Sequence, residues 1–322
     1  MIKAIAFGGH EVTYQAWYGI DEQTLETNRK YNPAGEIYDE KGDLTGFYDN
    51  QVDDYKQDHY QLHVNHDFGN DWTGNLAFHY TYGRGFYEQY ENDADFSVYG
   101  FDPIDIDGEE IDATDLVQRK WLDNHFYGTT FSVLKNFDKV NVIFGGAFNQ
   151  YDGDHFGEVI WGSDLAPSTN IRDRYYEGGA TKNDFSVFSK ATFKFAEKFT
   201  GFVDLQGRFV NYKTNGLNSK RKAFNTNSDF SFFNPKVGVT YKHCNFNSFY
   251  TSYARANREP NRDDFKGGVT ENETLNDIEL GWRYNSQRVS VNANIYYMFY
   301  QNQLVLTGQL DDVGTPIRAT SG

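Results

Sequence analysis

Apolar and polar positions alternate with a period of two along most of this chain. Between Leu275 and Tyr284 the set Ile278, Leu280, Trp282 and Tyr284 interleaves with Asp277, Glu279, Gly281 and Arg283. Across Asn285-Ser286-Gln287 the pattern resumes, with Val289, Val291, Ala293, Ile295, Tyr297 and Phe299 set against Ser290, Asn292, Asn294 and Tyr296. This is the period of a β-strand with two unlike faces. The same signature joins Tyr60, Leu62 and Val64 to Trp72, Leu76, Phe78, Tyr80 and Tyr82 through Gly69-Asn70-Asp71, a strong hairpin signal. Further strand pairs are predicted at 119–135 with 140–151, 183–195 with 199–213 and 232–242 with 246–256. An opening strand at about 2–17 brings the number to eleven.

Within each pair the connection is a few residues. Between pairs it is long, polar, Gly-rich and aperiodic, at roughly 18–55, 88–118, 152–182, 214–231 and 256–274. A soluble sandwich carries loops of mixed length at both ends, whereas a transmembrane β-barrel has short turns on one side and long loops on the other. The strict alternation therefore predicts an all-β fold, an antiparallel transmembrane β-barrel with short periplasmic turns and long extracellular loops. The segments exceed the roughly 9–11 residues that a tilted strand needs to cross the hydrocarbon, so several are expected to project beyond it.

Aromatic placement is a second test. Phe68, Trp72, Phe137, Phe195, Phe199, Tyr241, Phe246 and Tyr284 gather at the tight turns. Tyr80, Tyr82, Phe148, Phe209, Tyr297 and Phe299 lie toward the long loops, with Val, Leu and Ile between the two bands. Such bands match the aromatic girdles of outer-membrane barrels. An 18% aromatic content also favours strands over helices. Lys190, Lys194, Asp204, Gln206, Arg208, Lys236, Lys242, Asp277, Glu279 and Arg283 fall on the opposite parity. A dry core would charge several kcal/mol for each unpaired ion. A wet lumen removes that cost, and so does a soluble sheet with one solvated face.

The net charge of −16 argues against a nucleic-acid partner, because phosphate binding needs a basic face. Cys244 is the single cysteine, which excludes an intramolecular disulfide and a Cys-rich zinc site. No stretch approaches the 18 apolar residues of a spanning helix, the longest run being Val142 to Phe148. The opening run Ile2 to Gly9 is too short for a signal peptide and reads as strand.

At this point particular strings carry a family resemblance. Val12-Thr13-Tyr14-Gln15-Ala16-Trp17-Tyr18-Gly19, then Tyr31-Asn32-Pro33-Ala34-Gly35, Asn50-Gln51 and Tyr55-Lys56-Gln57-Asp58-His59-Tyr60-Gln61-Leu62 resemble the barrel of Bacteroidetes-type TonB-dependent outer-membrane receptors. So does the stretch from Tyr250 through Ala254-Arg255-Ala256-Asn257-Arg258-Glu259-Pro260-Asn261-Arg262 to Phe265, with Glu273 to Gly281 after it. The resemblance implies a 22-stranded barrel with an N-terminal plug, in the bacterial outer membrane. It implies uptake of a scarce ligand such as a ferric siderophore, haem, cobalamin or a glycan, powered by a TonB complex acting through the plug. Outer-membrane lipid and lipopolysaccharide would be further partners. The plug, its TonB-contacting box, a signal peptide and a C-terminal strand ending in an aromatic are not found, so residues 1–322 are expected to be a barrel fragment of eleven strands with two unpaired edges. Such a sheet is expected to give no folded monomer by itself. The stretch Gly308 to Gly322 is read as a loop, in which Val313-Gly314-Thr315-Pro316-Ile317-Arg318 resembles the lead-in to a later strand. The competing readings are a passive porin-like or adhesin barrel and a soluble glycan-binding β-sandwich.

Candidate chemistry is sparse. The acidic stretch from Glu88 to Asp115 has no Lys or Arg. It fails the EF-hand spacing, since Pro103 and Thr114 fall at the first and twelfth positions, and it reads as a solvated acidic loop. His63 and His79 share the polar parity of neighbouring strands on a diagonal and can contact haem or a metal chelate. Lys220-Arg221-Lys222, with Arg172, Arg174, Arg255, Arg258 and Arg262 in other loops, can draw in an anionic ligand. His63, His79, Arg208, Arg255, Arg258 and Arg262 form the candidate lumen-facing or ligand-facing set. No nucleophile–base grouping, phosphate loop or H-E-x-x-H is present, and no catalytic residue, metal site or cofactor is assigned. If odd and even residues see different solvents, probes placed singly at Leu280 and Ile295 of the complete protein will be quenched by brominated acyl chains. Quenching by a water-soluble agent instead would contradict the barrel.

Overall fold

The computed structural model describes residues 1–310 and 316–321. Strand β1 (Ile2–Tyr14) leads through helix α1 (Glu22–Thr27) and a small hairpin, β2 (Glu36–Tyr38) and β3 (Leu44–Phe47), to β4 (Val52–Gly69). β5 (Trp72–Asp95) is followed by α2 (Phe96–Tyr99), a second small hairpin of β6 (Ile104–Ile106) and β7 (Glu109–Ile111), and β8 (Ala113–Asn136). Then come β9 (Val140–Gly162), β10 (Arg174–Ala196), β11 (Phe199–Gly216), β12 (Thr226–Lys242) and β13 (Asn247–Arg258). Helix α3 (Arg262–Lys266), β14 (Glu273–Asn285), β15 (Ser290–Gln301) and the hairpin β16 (Gln303–Leu310) and β17 (Pro316–Ser321) complete the chain.

Eleven strands form one antiparallel sheet in the order β1-β4-β5-β8-β9-β10-β11-β12-β13-β14-β15. Among the described residues β1 and β15 each pair on one side, so the sheet is open. The period-two pattern sets the register. Leu62 faces Phe78, Phe185 faces Phe209 and Leu280 faces Ile295, all on the apolar face. Ile295 and Leu280 keep 76% and 56% of their surface exposed there, which marks a face built for an apolar solvent. The opposite face carries Gln61 against His79 and a ladder in which Asp204 stands between Lys190 and Lys236. Opposite charges in cross-strand positions support the register as well as tolerate it.

The tight turns behave as their residues dictate. Asn70 and Asp71 adopt φ of 49° and 64°, the positive values that a two-residue hairpin turn needs and that Asn and Asp tolerate best after Gly. On the polar face glycines make room for rings, as two pairs illustrate. Tyr55 pairs with Gly85 and Tyr250 with Gly281, and a Cβ on Gly281 would overlap the Tyr250 ring. The guanidinium of Arg283 lies 4.3 Å from the centre of that same ring.

Strands are longer than alternation predicts. β5 runs to Asp95, β8 starts at Ala113, β9 ends at Gly162 and β10 starts at Arg174, so much of 88–118 and 152–182 is strand and not loop. The physical reason is that above the hydrocarbon both faces meet water or a folded loop, and the two-solvent pattern disappears while the hydrogen-bond ladder continues. The consecutive Tyr175 and Tyr176 are both buried, beside a bulge between Arg174 and Tyr176. The stretch read as a loop from Gly308 holds the end of β16, and β17 follows it; residues 311–315, with the predicted lead-in at Val313–Thr315, and Gly322 lie outside the described residues.

Because β4 pairs with β5 only as far as Asp53 opposite Tyr87, the upper edge of β5 needs other partners. Side-chain amides from the first long loop supply them. Gln15 Nε2 donates to the carbonyls of Val52 and Glu88, at 3.0 and 2.9 Å, and the Tyr90 amide donates to Gln51 Oε1 at 2.8 Å. Higher up, Asn92 donates to the Glu36 carbonyl and accepts from the Tyr38 amide. Gly281→Val should lower stability by about 1–3 kcal/mol through overpacking against Tyr250. In a denaturant titration of the intact protein in lipid, adding Tyr250→Ala should recover most of that loss, and an unchanged midpoint for the single variant would contradict the packing.

Candidate functional site

The polar face is lined by loops that fold over it. The Glu259–Val269 segment is fastened at two points. Its Glu259 carboxylate accepts from Lys182 Nζ at 2.6 Å and from Arg208 Nη1 and Nη2, both at 2.8 Å. Arg208 Nη2 also donates to Asp184 Oδ2 at 2.6 Å, so two cations and two carboxylates form one closed group. Lys182 and Asp184 come from β10 and Arg208 from β11, on the parity opposite to Phe185 and Phe209. Burial alone would raise the Glu259 pKa, but the hydrogen bonds from Arg208 and Lys182 outweigh it and hold the carboxyl down at about 2.

Within the loop, Asn261 and Asp264 form a capping box. Asn261 Oδ1 accepts the Asp264 amide at 2.9 Å, and Asp264 Oδ2 accepts the Asn261 amide at 2.8 Å. The buried Asp264 also accepts from Arg318 Nε at 2.8 Å, tying α3 to β17. The helix presents Phe265 to the wall, stacked on Tyr212 with ring centres 5.2 Å apart and planes 14° from parallel. Ala180, Tyr151, Phe230 and Phe224 complete that apolar cluster.

Two further groups hold the neighbouring loops. Tyr175 Oη donates to Gln118 Oε1 at 2.6 Å and Gln118 Nε2 donates to Glu91 Oε1 at 2.7 Å, while Tyr99 of α2 packs its ring on Tyr175. Arg119 Nε donates to Glu88 Oε2 at 2.6 Å, and Tyr48 Oη and Asn50 Nδ2 donate to Glu88 Oε1, each at 2.6 Å. Burial and then the Glu88 carboxylate raise the Tyr48 hydroxyl well above its ordinary pKa.

Several sequence expectations are corrected here. Glu88 is almost fully buried and paired with Arg119, and Asp115 accepts from Tyr90 Oη and the Asp93 amide, so the ends of the acidic stretch are embedded and not solvated loop. His63 and His79 stand on the polar face on a diagonal, as expected, since His63 pairs with Ala77. They are not brought to one point: His63 shares a hydrogen bond with Gln61 and His79 with Asn149. Among the described residues no group of three or more His, Cys, Asp or Glu is arranged to hold a metal ion.

Arg255 and Arg258 lie within β13 and not in a loop. Arg255 pairs with Asn276 and so shares the face of Ile278 and Leu280, whereas Arg258 opposes Glu273 on the polar parity. Arg262 lies in α3 with its guanidinium 5.4 Å from the Phe224 ring centre. Arg221 of the basic cluster packs against Gly100 at the end of α2, where any Cβ would collide with it. Lys182 and Tyr212 carry no signal in the sequence, and Glu259 and Phe265 appear there only within the stretch that bears the family resemblance, not as candidate site residues. The Asn261-x-x-Asp264 spacing is the one signal that marks a short helix beside them.

A sheet with one hydrocarbon-type face, one polar face and loops folded over the latter defines the wall of a transmembrane β-barrel. A family model described as TonB dependent receptor-like, beta-barrel matches residues 4–321, and the chain belongs to that family of outer-membrane proteins. Among solved structures it is similar to the ferric-catecholate import receptor Fiu from E. coli K12 in its closed form, with 13% identity and a TM-score of 0.58, over 99% of this chain and 50% of that one. It is also similar to the siderophore receptor PiuA from Acinetobacter baumannii, with 15% identity and a TM-score of 0.61, over 99% and 49% of the two chains. The copper transporter OprC aligns at 12% identity and a TM-score of 0.60, over 85% and 44%. The chain thus spans about half the length of these structures, and the likeness is one of fold. A search of curated proteins finds no match.

The Glu259 pKa is lower in the folded protein than in the unfolded chain. The stability it contributes is therefore fully present above the ordinary value of 4.5 and is lost as pH falls toward about 2. Limited proteolysis within 259–269 should accelerate over that window. Glu259→Gln should give the accelerated rate already at pH 7, with a loss of about 3 kcal/mol from leaving the two cations short of an anion. A rate independent of both would show that the ion group does not hold the loop.

Proposed function

We propose that residues 1–322 are barrel domain of a TonB-dependent receptor that imports a scarce iron chelate, a ferric siderophore being the leading ligand. Energy reaches it from the TonB complex through a plug domain. The apolar face meets outer-membrane lipid and lipopolysaccharide. The observation that carries this reading is the pairing of an exposed apolar face, with Ile295, Leu280 and Phe209 outward, and a polar face lined by Arg208, Lys182 and His79. Two similar structures are named as receptors for ferric-catecholate and for a siderophore, which supports the ligand class. Arg208, Arg258, Arg262, His63 and His79 are the proposed solute-facing side chains. Arg255, on the lipid parity, is set aside. Deletion of the complete gene should abolish growth on the cognate ferric chelate under iron limitation, and loss of TonB should do the same in the intact strain. Uptake indifferent to TonB would replace this reading with a passive pore.

A further inference from the structure

Loop Glu259–Val269 meets the wall through two contacts of different chemistry. A benzene ring, Phe265, stacks on Tyr212 near Phe230, and a carboxylate, Glu259, is forked between Arg208 and Lys182. All four wall residues come from β10, β11 and β12, and register puts them on the polar parity. An aromatic floor beside two cations is a recognition surface for a molecule that carries a ring and an anionic group.

We infer that this part of the wall is a ligand subsite for aromatic anions, and that the loop occupies it as a stand-in, with Phe265 in place of the ligand's ring and Glu259 in place of its acid. The inference rests on the reading of the polar face as the path of an imported solute. With Glu259 seated, Lys182 and Arg208 face two carboxylates and the group is neutral. With Glu259 withdrawn, Asp184 remains and one positive charge is left beside Tyr212 and Phe230. A ligand with both features restores both contacts and frees the loop, and an anion without a ring restores only one. The loop then regains conformational freedom, which favours the exchange. Arg318 stays on Asp264 as a tether, so the loop swings on its β17 contact and is not lost to solvent altogether.

The test uses the complete receptor in detergent with ferric 2,3-dihydroxybenzoate, metal-free benzoate and ferric citrate as probes. Saturation with ferric 2,3-dihydroxybenzoate should raise amide hydrogen exchange across 259–269 at least tenfold, and ferric citrate should not. Glu259→Gln combined with Phe265→Ala should tighten the dissociation constants for ferric 2,3-dihydroxybenzoate and benzoate at least tenfold, and adding Arg208→Gln should erase the gain. Unchanged exchange at saturation overturns the inference even if the double variant fails to fold, as does a dissociation constant within twofold of the unaltered receptor. If iron-limited growth depends on the receptor while neither aromatic probe responds to the loop, the subsite falls and iron import stands. If benzoate responds while no ferric chelate supports growth, the subsite stands and iron import falls.

Discussion

Hydrocarbon offers no partner for an amide hydrogen or a carbonyl, so a chain that crosses it as strands must satisfy its backbone from neighbouring strands. In this protein that requirement is met by eleven strands laid side by side in sequence order. Everything else is arranged around it. The tight turns keep consecutive strands adjacent, and the period of two separates the side chains into one set that faces acyl chains and another that faces water. Gly85 and Gly281 allow Tyr55 and Tyr250 to lie down on the wet face without disturbing the ladder beneath them.

Above the hydrocarbon the constraint changes its form. Strands β5, β8, β9 and β10 rise well beyond what a bilayer needs, and their free edges and faces are closed by loops instead of by more sheet. Gln15 and Gln51 act there as substitutes for a missing strand, because a side-chain amide offers the same donor and acceptor as a peptide group. Glu88 is buried in the same region only because Arg119, Tyr48 and Asn50 converge on it. A charge so placed without partners would be costly, and with them it fixes the loop in one position.

The group of Lys182, Asp184, Arg208 and Glu259 is the same device on the wet face, and there it joins the wall to the segment that carries α3. Beside its ion pairs the segment adds an aromatic contact, Phe265 on Tyr212. The fold alone does not choose a solute. Structures of the same architecture at 12–15% identity are named for ferric-catecholate import, siderophore reception and copper transport. A ligand class is therefore not written in the sheet, which these structures share while their named ligands differ.

The alternation around Leu62, Phe78, Phe209, Leu280 and Ile295 was enough to read the strand number, the pairing and the two faces, because a one-residue slip would have put each of these side chains in the wrong solvent. It placed His63, His79 and Arg208 on the polar face for the same reason. The pattern failed where that pressure ends. β13 continues past 256 to Arg258 and β10 begins before Lys182, in regions where both faces are polar and parity leaves no trace in residue type. Contacts between elements distant in the chain were equally hidden. Glu259 meets Lys182 across 77 residues and Asp264 meets Arg318 across 54, and such meetings depend on how loops settle on a finished wall. Local solvent chemistry wrote the sheet into the sequence, and only the assembled sheet determined which charges its loops would find.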